Sequence, residues 1–132
     1  MSQENVELAR ASLDAFNRRD FAQITELLHP EVELQEAADL PDARTWRGRG
    51  GVMEYLAETQ MRWSEVRFDP NEFIDGDKTI VITGTLWGRG KESGVEVSTP
   101  LAQVIDVHEG KARRIGFYLD RSQALEAAGL SE

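Results

Sequence analysis

Apolar residues recur at Val6, Ala9, Leu13 and Phe16, the three-and-four spacing that lines one side of a helix over residues 3–18. Ser2 stands at its start as an N-cap, with Glu4 in the first turn, and Arg18 and Arg19 suit its C-terminal end. Asp20 opens a second helix, with Gln23 three residues on in capping-box fashion. Phe21, Ile24, Leu27 and Leu28 give that helix its apolar side, and His29-Pro30 stops it. From Glu31 to Gln35 the period shortens to two, with Val32 and Leu34 alternating with polar residues, as in a strand with one wet face. Residues 36–49 read as a loop. A third helix is expected from Gly51 to Arg62, with Val52, Leu56, Thr59 and Trp63 along one side.

Strand patterns dominate after that. Val66 to Ile74 is followed by the hairpin signal Asp75-Gly76-Asp77 and a strand from Lys78 to Trp87. Gly88 to Gly94 is a glycine-rich hairpin loop. Val95 to Val107 is a long strand, with Pro100 removing one ladder donor. Glu109-Gly110 turns the chain into a strand from Ala112 to Leu119. Asp120, with Gln123 three residues later, caps a last helix that ends at Gly129. Strands joined by hairpins give an antiparallel sheet, and helices gathered on one face of it define an α+β domain. Nothing repeats and no segment has linker composition, so residues 1–132 are expected to form a single domain.

Composition narrows the function classes. Forty per cent of residues are apolar and thirty per cent charged, as in an ordinary globular domain. The net charge of −9 opposes nucleic acid and anionic membrane surfaces. Zero cysteines exclude disulfides, thiolate metal sites and cysteine nucleophiles, and are compatible with a reducing compartment. The start, MSQENVELAR, lacks the apolar core of a secretory signal, and no apolar run approaches the ~20 residues that span a bilayer. Cytoplasmic placement is the expectation.

The stretches AFNRRDF, LLHPEVEL, WRGRGGVMEYL and HEGKARRIGFYLDRSQALEAAGL, in that order of elements, resemble the SnoaL-like branch of the nuclear-transport-factor-two-like (cystatin-like) superfamily, which includes ketosteroid isomerases. The resemblance covers essentially the whole chain. It implies a cone: a strongly curved antiparallel sheet wrapped around three N-terminal and central helices, with a short C-terminal helix. It further implies a deep, mostly apolar pocket and a homodimer. It says little about chemistry, because the superfamily holds isomerases, cyclases, hydrolases, dehydratases and binding modules.

The place where ketosteroid isomerase relatives carry a general-base carboxylate, just past the first strand, falls at Glu36, or at Gln35 if the register slips by one. A carboxylate beside an apolar cavity would have a raised pKa and would suit proton transfer on an enolisable ligand. The alternative is a solvated loop acid, as is expected of Asp39 and Asp42. The relatives' oxyanion donors fall at Ser12 and Ala102, a weak donor and no donor, so steroid isomerisation is not expected. The aspartate of the cyclase and epoxide hydrolase branches falls near Phe117, which neither gives nor takes a proton. Asp106 would reach the pocket mouth if Ala102, Val104 and Asp106 face inward.

Gln103 interrupts an apolar strand and is expected to face either the pocket or a dimer partner. Tyr55 is read as sending its hydroxyl into the cavity or as a core or rim residue. The expected pocket wall is Phe16, Trp46, Tyr55, Leu56, Trp63, Leu86, Gln103, Val104, Ile115 and Phe117. Ile80, Ile82, Gly84 and Leu86 share one strand face, with Gly84 leaving room. His29 and His108, at a helix end and a hairpin, have no spaced carboxylate partner, so no metal is expected. RGRGG before the third helix is either an anion cradle, with Arg47 and Arg49 adding charge, or an ordinary turn. No cofactor is expected. The overall expectation is a pocket protein for an apolar small molecule, acting as a cofactor-independent isomerase, cyclase or hydratase-type lyase, or else a non-catalytic binding module or dimeric scaffold.

Overall fold

The computed structural model describes residues 2–130. Helix α1 runs Ser2–Arg18; of its predicted stripe Ala9 and Leu13 are buried and Val6 and Phe16 half-buried, and Leu8 and Ala15 are buried beside them. The side chain of Ser2, the expected cap, lies outside those described. Asp20 accepts the Gln23 backbone N–H at 3.1 Å and so caps α2, Phe21–Leu27.

Strand β1, Leu28–Gln35, begins directly where α2 ends, three residues earlier than its alternation suggests. Leu28 is already extended, at φ −91° and ψ 138°. Pro30 disfavours helix at His29 and cannot donate to a ladder. The β1 register accordingly breaks between Leu28, opposite Ala112, and Glu33, opposite Arg114.

The expected loop contains a short strand, β2, Thr45–Arg47, which pairs antiparallel with β1. Helix α3, Gly48–Arg62, follows through Gly48 at φ +74°, a backbone state that suits glycine. Four long strands come next: β3, Trp63–Asp75; β4, Thr79–Gly90; β5, Glu96–His108; and β6, Lys111–Tyr118. Helix α4, Arg121–Ala127, is capped by Asp120, whose carboxylate accepts the Gln123 N–H at 2.8 Å. Gly129 follows it at φ +74°, as a C-terminal glycine should.

The strand order is β2-β1-β6-β5-β4-β3, in one curved, unclosed sheet. All neighbours are antiparallel except β1 and β6, which run parallel. No hairpin joins those two, so nothing in the connection forces them to oppose.

Helices occupy both faces, not one. The main core joins α1, α2 and α3 to Ile80, Ile82 and Ile105, while a smaller one packs Ala124 and Leu125 of α4 on Val81, Ala102 and Val104. Alternate residues of β4 and β5 therefore serve opposite layers.

Candidate functional site

The concave side of the sheet and α1–α3 enclose a cavity of about 110 Å³. Strand parity decides who reaches it. On β5, Leu101, Gln103 and Ile105 face it, and on β6 so do Ile115 and Phe117. Phe16, Tyr55, Leu56 and Leu86 complete the part of the wall anticipated from sequence. Ser12, Leu13, Ile24, Leu34, Val52 and Phe68 line it as well. They were left out of the expected wall although the spacing admits them: Ser12 lies one turn before Phe16, and Val52 one turn before Leu56.

Three expected wall residues lie elsewhere. Val104 points to the other face, against α4, because it is out of phase with Gln103. Trp63 begins β3 instead of extending the α3 stripe, and its ring lies over Gly88. Trp46 is buried one layer back, with its ring edge-on to Tyr55 at 5.8 Å. Gly84 does not open the cavity either, since the Phe68 ring occupies the space a side chain there would need.

Glu36 is half-buried at the start of the loop between β1 and β2 and is absent from the cavity wall. Its Oε2 accepts the Trp46 indole N–H at 2.9 Å. The Arg44 guanidinium lies over the Trp46 ring, 3.9 Å from its centroid, and Arg44 pairs with Glu58 at 2.8 Å. Tyr55 thus stands between Trp46 and the cavity, with Phe117 stacked at 6.3 Å on its cavity side. Burial, and secondarily the negative charge of Glu36, push the Tyr55 phenol up to about 12. Its hydroxyl therefore stays protonated at neutral pH and can donate a hydrogen bond. Ser12 Oγ spends its proton on the Leu8 carbonyl at 2.9 Å and retains only acceptor capacity.

Other candidates fall outside the cavity. Asp106 sits at the outer end of β5, accepting from Thr79 Oγ1 at 3.2 Å, and does not face inward. Arg49 places two guanidinium nitrogens on the Leu28 carbonyl, at 3.0 and 2.8 Å, and Arg47 pairs with Glu33 at 3.1 Å. Both arginines are thus committed to protein partners, which favours the plain loop-to-helix reading of RGRGG. Asp39 is exposed in the loop, and Asp42 is exposed there at φ 62°.

The fold brings His29 and His108 together, which their separation in sequence concealed, with ring centroids 5.5 Å apart. Glu109 Oε1 lies 3.1 Å from His29 Nε2 and 3.5 Å from His108 Nε2. The backbone N–H of Glu31 donates to His29 Nδ1 at 3.0 Å. Neutral His29 therefore carries its proton on Nε2, as a donor to Glu109. A metal there would displace that proton, opposite to the usual arrangement in which the second ring nitrogen donates outward.

The description of a SnoaL-like domain matches residues 9–115. The chain belongs to the SnoaL-like domain family. No curated protein matches it in sequence. Among solved structures, an NTF2-like protein of unknown function from Burkholderia pseudomallei shares 24% identity over 93% of this chain and 95% of that one, with a TM-score of 0.80. TerC, co-crystallised with polyporic acid, shares 26% identity over 94% of this chain and 96% of its own, with a TM-score of 0.79. A protein with a ketosteroid isomerase-like fold from Catenulispora acidiphila, in complex with trimethylamine, shares 17% over 95% and 94%, with a TM-score of 0.78. The SnoaL-like fold is thus shared across nearly the full length of each partner.

Ala102 faces α4, and its neighbour Gln103 faces the cavity.

Proposed function

We propose that this SnoaL-like protein is a small-molecule-binding protein whose ligand occupies the cavity between the sheet and α1–α3. The carrying observation is that this enclosed space of about 110 Å³ is walled by hydrocarbon, with Ser12, Tyr55 and Gln103 as its polar groups. A concave, mostly apolar site with a few convergent polar groups is the usual form of a ligand site. TerC, with polyporic acid, gives the reading support from a relative matched over nearly the whole of both chains. The zero cysteine count fits a cytoplasmic place of action, and exposed Val95, just before β5, and Val97, within it, offer apolar surface for the homodimer included in this reading.

Binding without chemistry fits the geometry better than base catalysis, because the Glu36 carboxylate is held by Trp46 and stands off the cavity wall. The second reading, a cofactor-independent isomerase or cyclase, draws on one observation: Glu36 acts electrostatically on Tyr55, which does line the cavity. Titration of the ¹⁵N-labelled protein with toluene tests the first reading. Shifts confined to residues such as Leu56, Ile105 and Phe117 are expected, and their absence would overturn it. Glu36→Gln is expected to leave toluene affinity within two-fold. Loss of a detected turnover with binding intact would favour the isomerase reading instead.

A further inference from the structure

Gln103 occupies a position that a leucine would fill at no polar cost. It is only 9% exposed, in the middle of β5, between Ile82 on one neighbouring strand and Phe117 on the other. Its carboxamide hydrogen-bonds to no described residue. Yet no wholly sealed side-chain nitrogen or oxygen among the described residues lacks a partner, so the carboxamide borders open space. That space is the cavity it lines. A buried amide without a partner is unfavourable, and an amide that keeps both donors and its acceptor free within an apolar enclosure suits an occupant that uses them.

The rest of the wall limits what that occupant can be. Among the described residues no acidic or basic side chain lines the cavity, so a charged ligand would enter without a counter-ion and lose its hydration uncompensated. The volume of about 110 Å³ is close to that of a ~150 Å³ cavity that admits benzene, and well below the ~300 Å³ at which drug-sized sites begin. Polar capacity is narrow as well. Ser12 has given its proton to Leu8, and the Tyr55 ring is stacked on Phe117.

We propose that the cavity takes an uncharged molecule of single-ring size bearing one carbonyl or hydroxyl group, and that Gln103 is the residue that reads this group. The carboxamide N–H₂ donates to a carbonyl oxygen, or its oxygen accepts from a hydroxyl. The proposal rests on the ligand-binding reading of the cavity given above and adds the ligand's class and the residue that selects it.

Cyclohexanone and methylenecyclohexane test it, since the second replaces C=O by C=CH₂ with nearly the same shape. Both are titrated into the wild type and into Gln103→Leu, followed by ¹H–¹⁵N NMR. Gln103→Leu is expected to weaken cyclohexanone about ten-fold, the loss of one hydrogen bond in a dry site, and to leave methylenecyclohexane unchanged or tighter. In the wild type the Gln103 side-chain N–H₂ resonances are expected to move with cyclohexanone and to stay still with methylenecyclohexane. Should the variant fail to fold, those wild-type resonances decide alone. Equal affinities in both proteins, or unmoved N–H₂ resonances on ketone binding, would overturn the role of Gln103 while leaving the cavity a ligand site. Failure of both probes to bind the wild type would overturn the ligand-binding reading and this proposal with it.

Discussion

Tyr55 shows how one side chain can take both its position and its protonation from its neighbours. Trp46 meets it edge-on, Phe117 stacks on it, and burial followed by Glu36 raises its phenol from 10.0 to about 12. The consequence for stability has a definite sign. Below pH 10 the phenol is neutral in folded and unfolded chains alike. Between pH 10 and 12 the unfolded chain ionises first, so folding stability falls as pH rises, by about 2–3 kcal/mol across that window. Urea titrations from pH 8 to 12 should show this alkaline loss diminished in Tyr55→Phe relative to wild type; matching slopes would contradict it. Gly84 shows the opposite case, a residue set by contact alone. A β-carbon there would meet the Asp69 carbonyl and lie 2.7 Å from Phe68 Cζ. Gly84→Ala should therefore lower stability by about 1–3 kcal/mol, read as a shift in urea midpoint, because backbone on one side and a packed ring on the other leave little room to yield.

At the scale of elements, β3 is an edge strand, and α1 supplies the groups that tie it down. Asn17 donates to the Phe68 carbonyl and accepts the Phe68 N–H, both at 2.9 Å, so its carboxamide imitates a paired strand residue. Asn17→Ala should cost about 2 kcal/mol by leaving both backbone groups unpaired. Hydrogen exchange should show the Phe68 amide opening faster, by a larger factor than Ile82 in the middle of the sheet. The helices, and the hairpins from β3 to β6, were legible in sequence because each runs long enough to show its period or carries glycine at its turn. Strand β2 was not, because three residues cannot display an alternation. Trp63 was misplaced because the chain changes period between Arg62 and Trp63, and a helical count carried past the end still lands on an apolar residue. The β5 segment Leu101–Ile105 is buried on both faces, against the cavity on one side and α4 on the other, so Val104 looks like its neighbours and the inward set is ambiguous by one residue. Glu36 was correctly placed after the first strand. Its partner Trp46 was not foreseeable, because their contact depends on the unread pairing of β1 with β2.

For the molecule as a whole, an unfilled cavity forgoes packing that would add stability. The convex side of the sheet is closed by α4, which fills its space with Ala124 and Leu125, whereas the concave side leaves about 110 Å³ unfilled among groups able to fill it. Ala112 gives a direct test. It is 1% exposed, lines the cavity, and pairs with Leu28 across the parallel junction that joins β1 to β6. Ala112→Val adds two methyl-sized groups to an existing void at a strand position. If the space is merely imperfect packing, filling it should raise stability by about 1 kcal/mol and change nothing else. If the space is kept for a ligand, the same gain should come with loss of toluene binding, at least ten-fold by NMR titration. Stability alone cannot separate these cases, since valine also favours strand on its own account. Affinity can: a stabilised variant that binds toluene as well as the wild type would show that the ligand does not use this cavity, whatever its walls suggest.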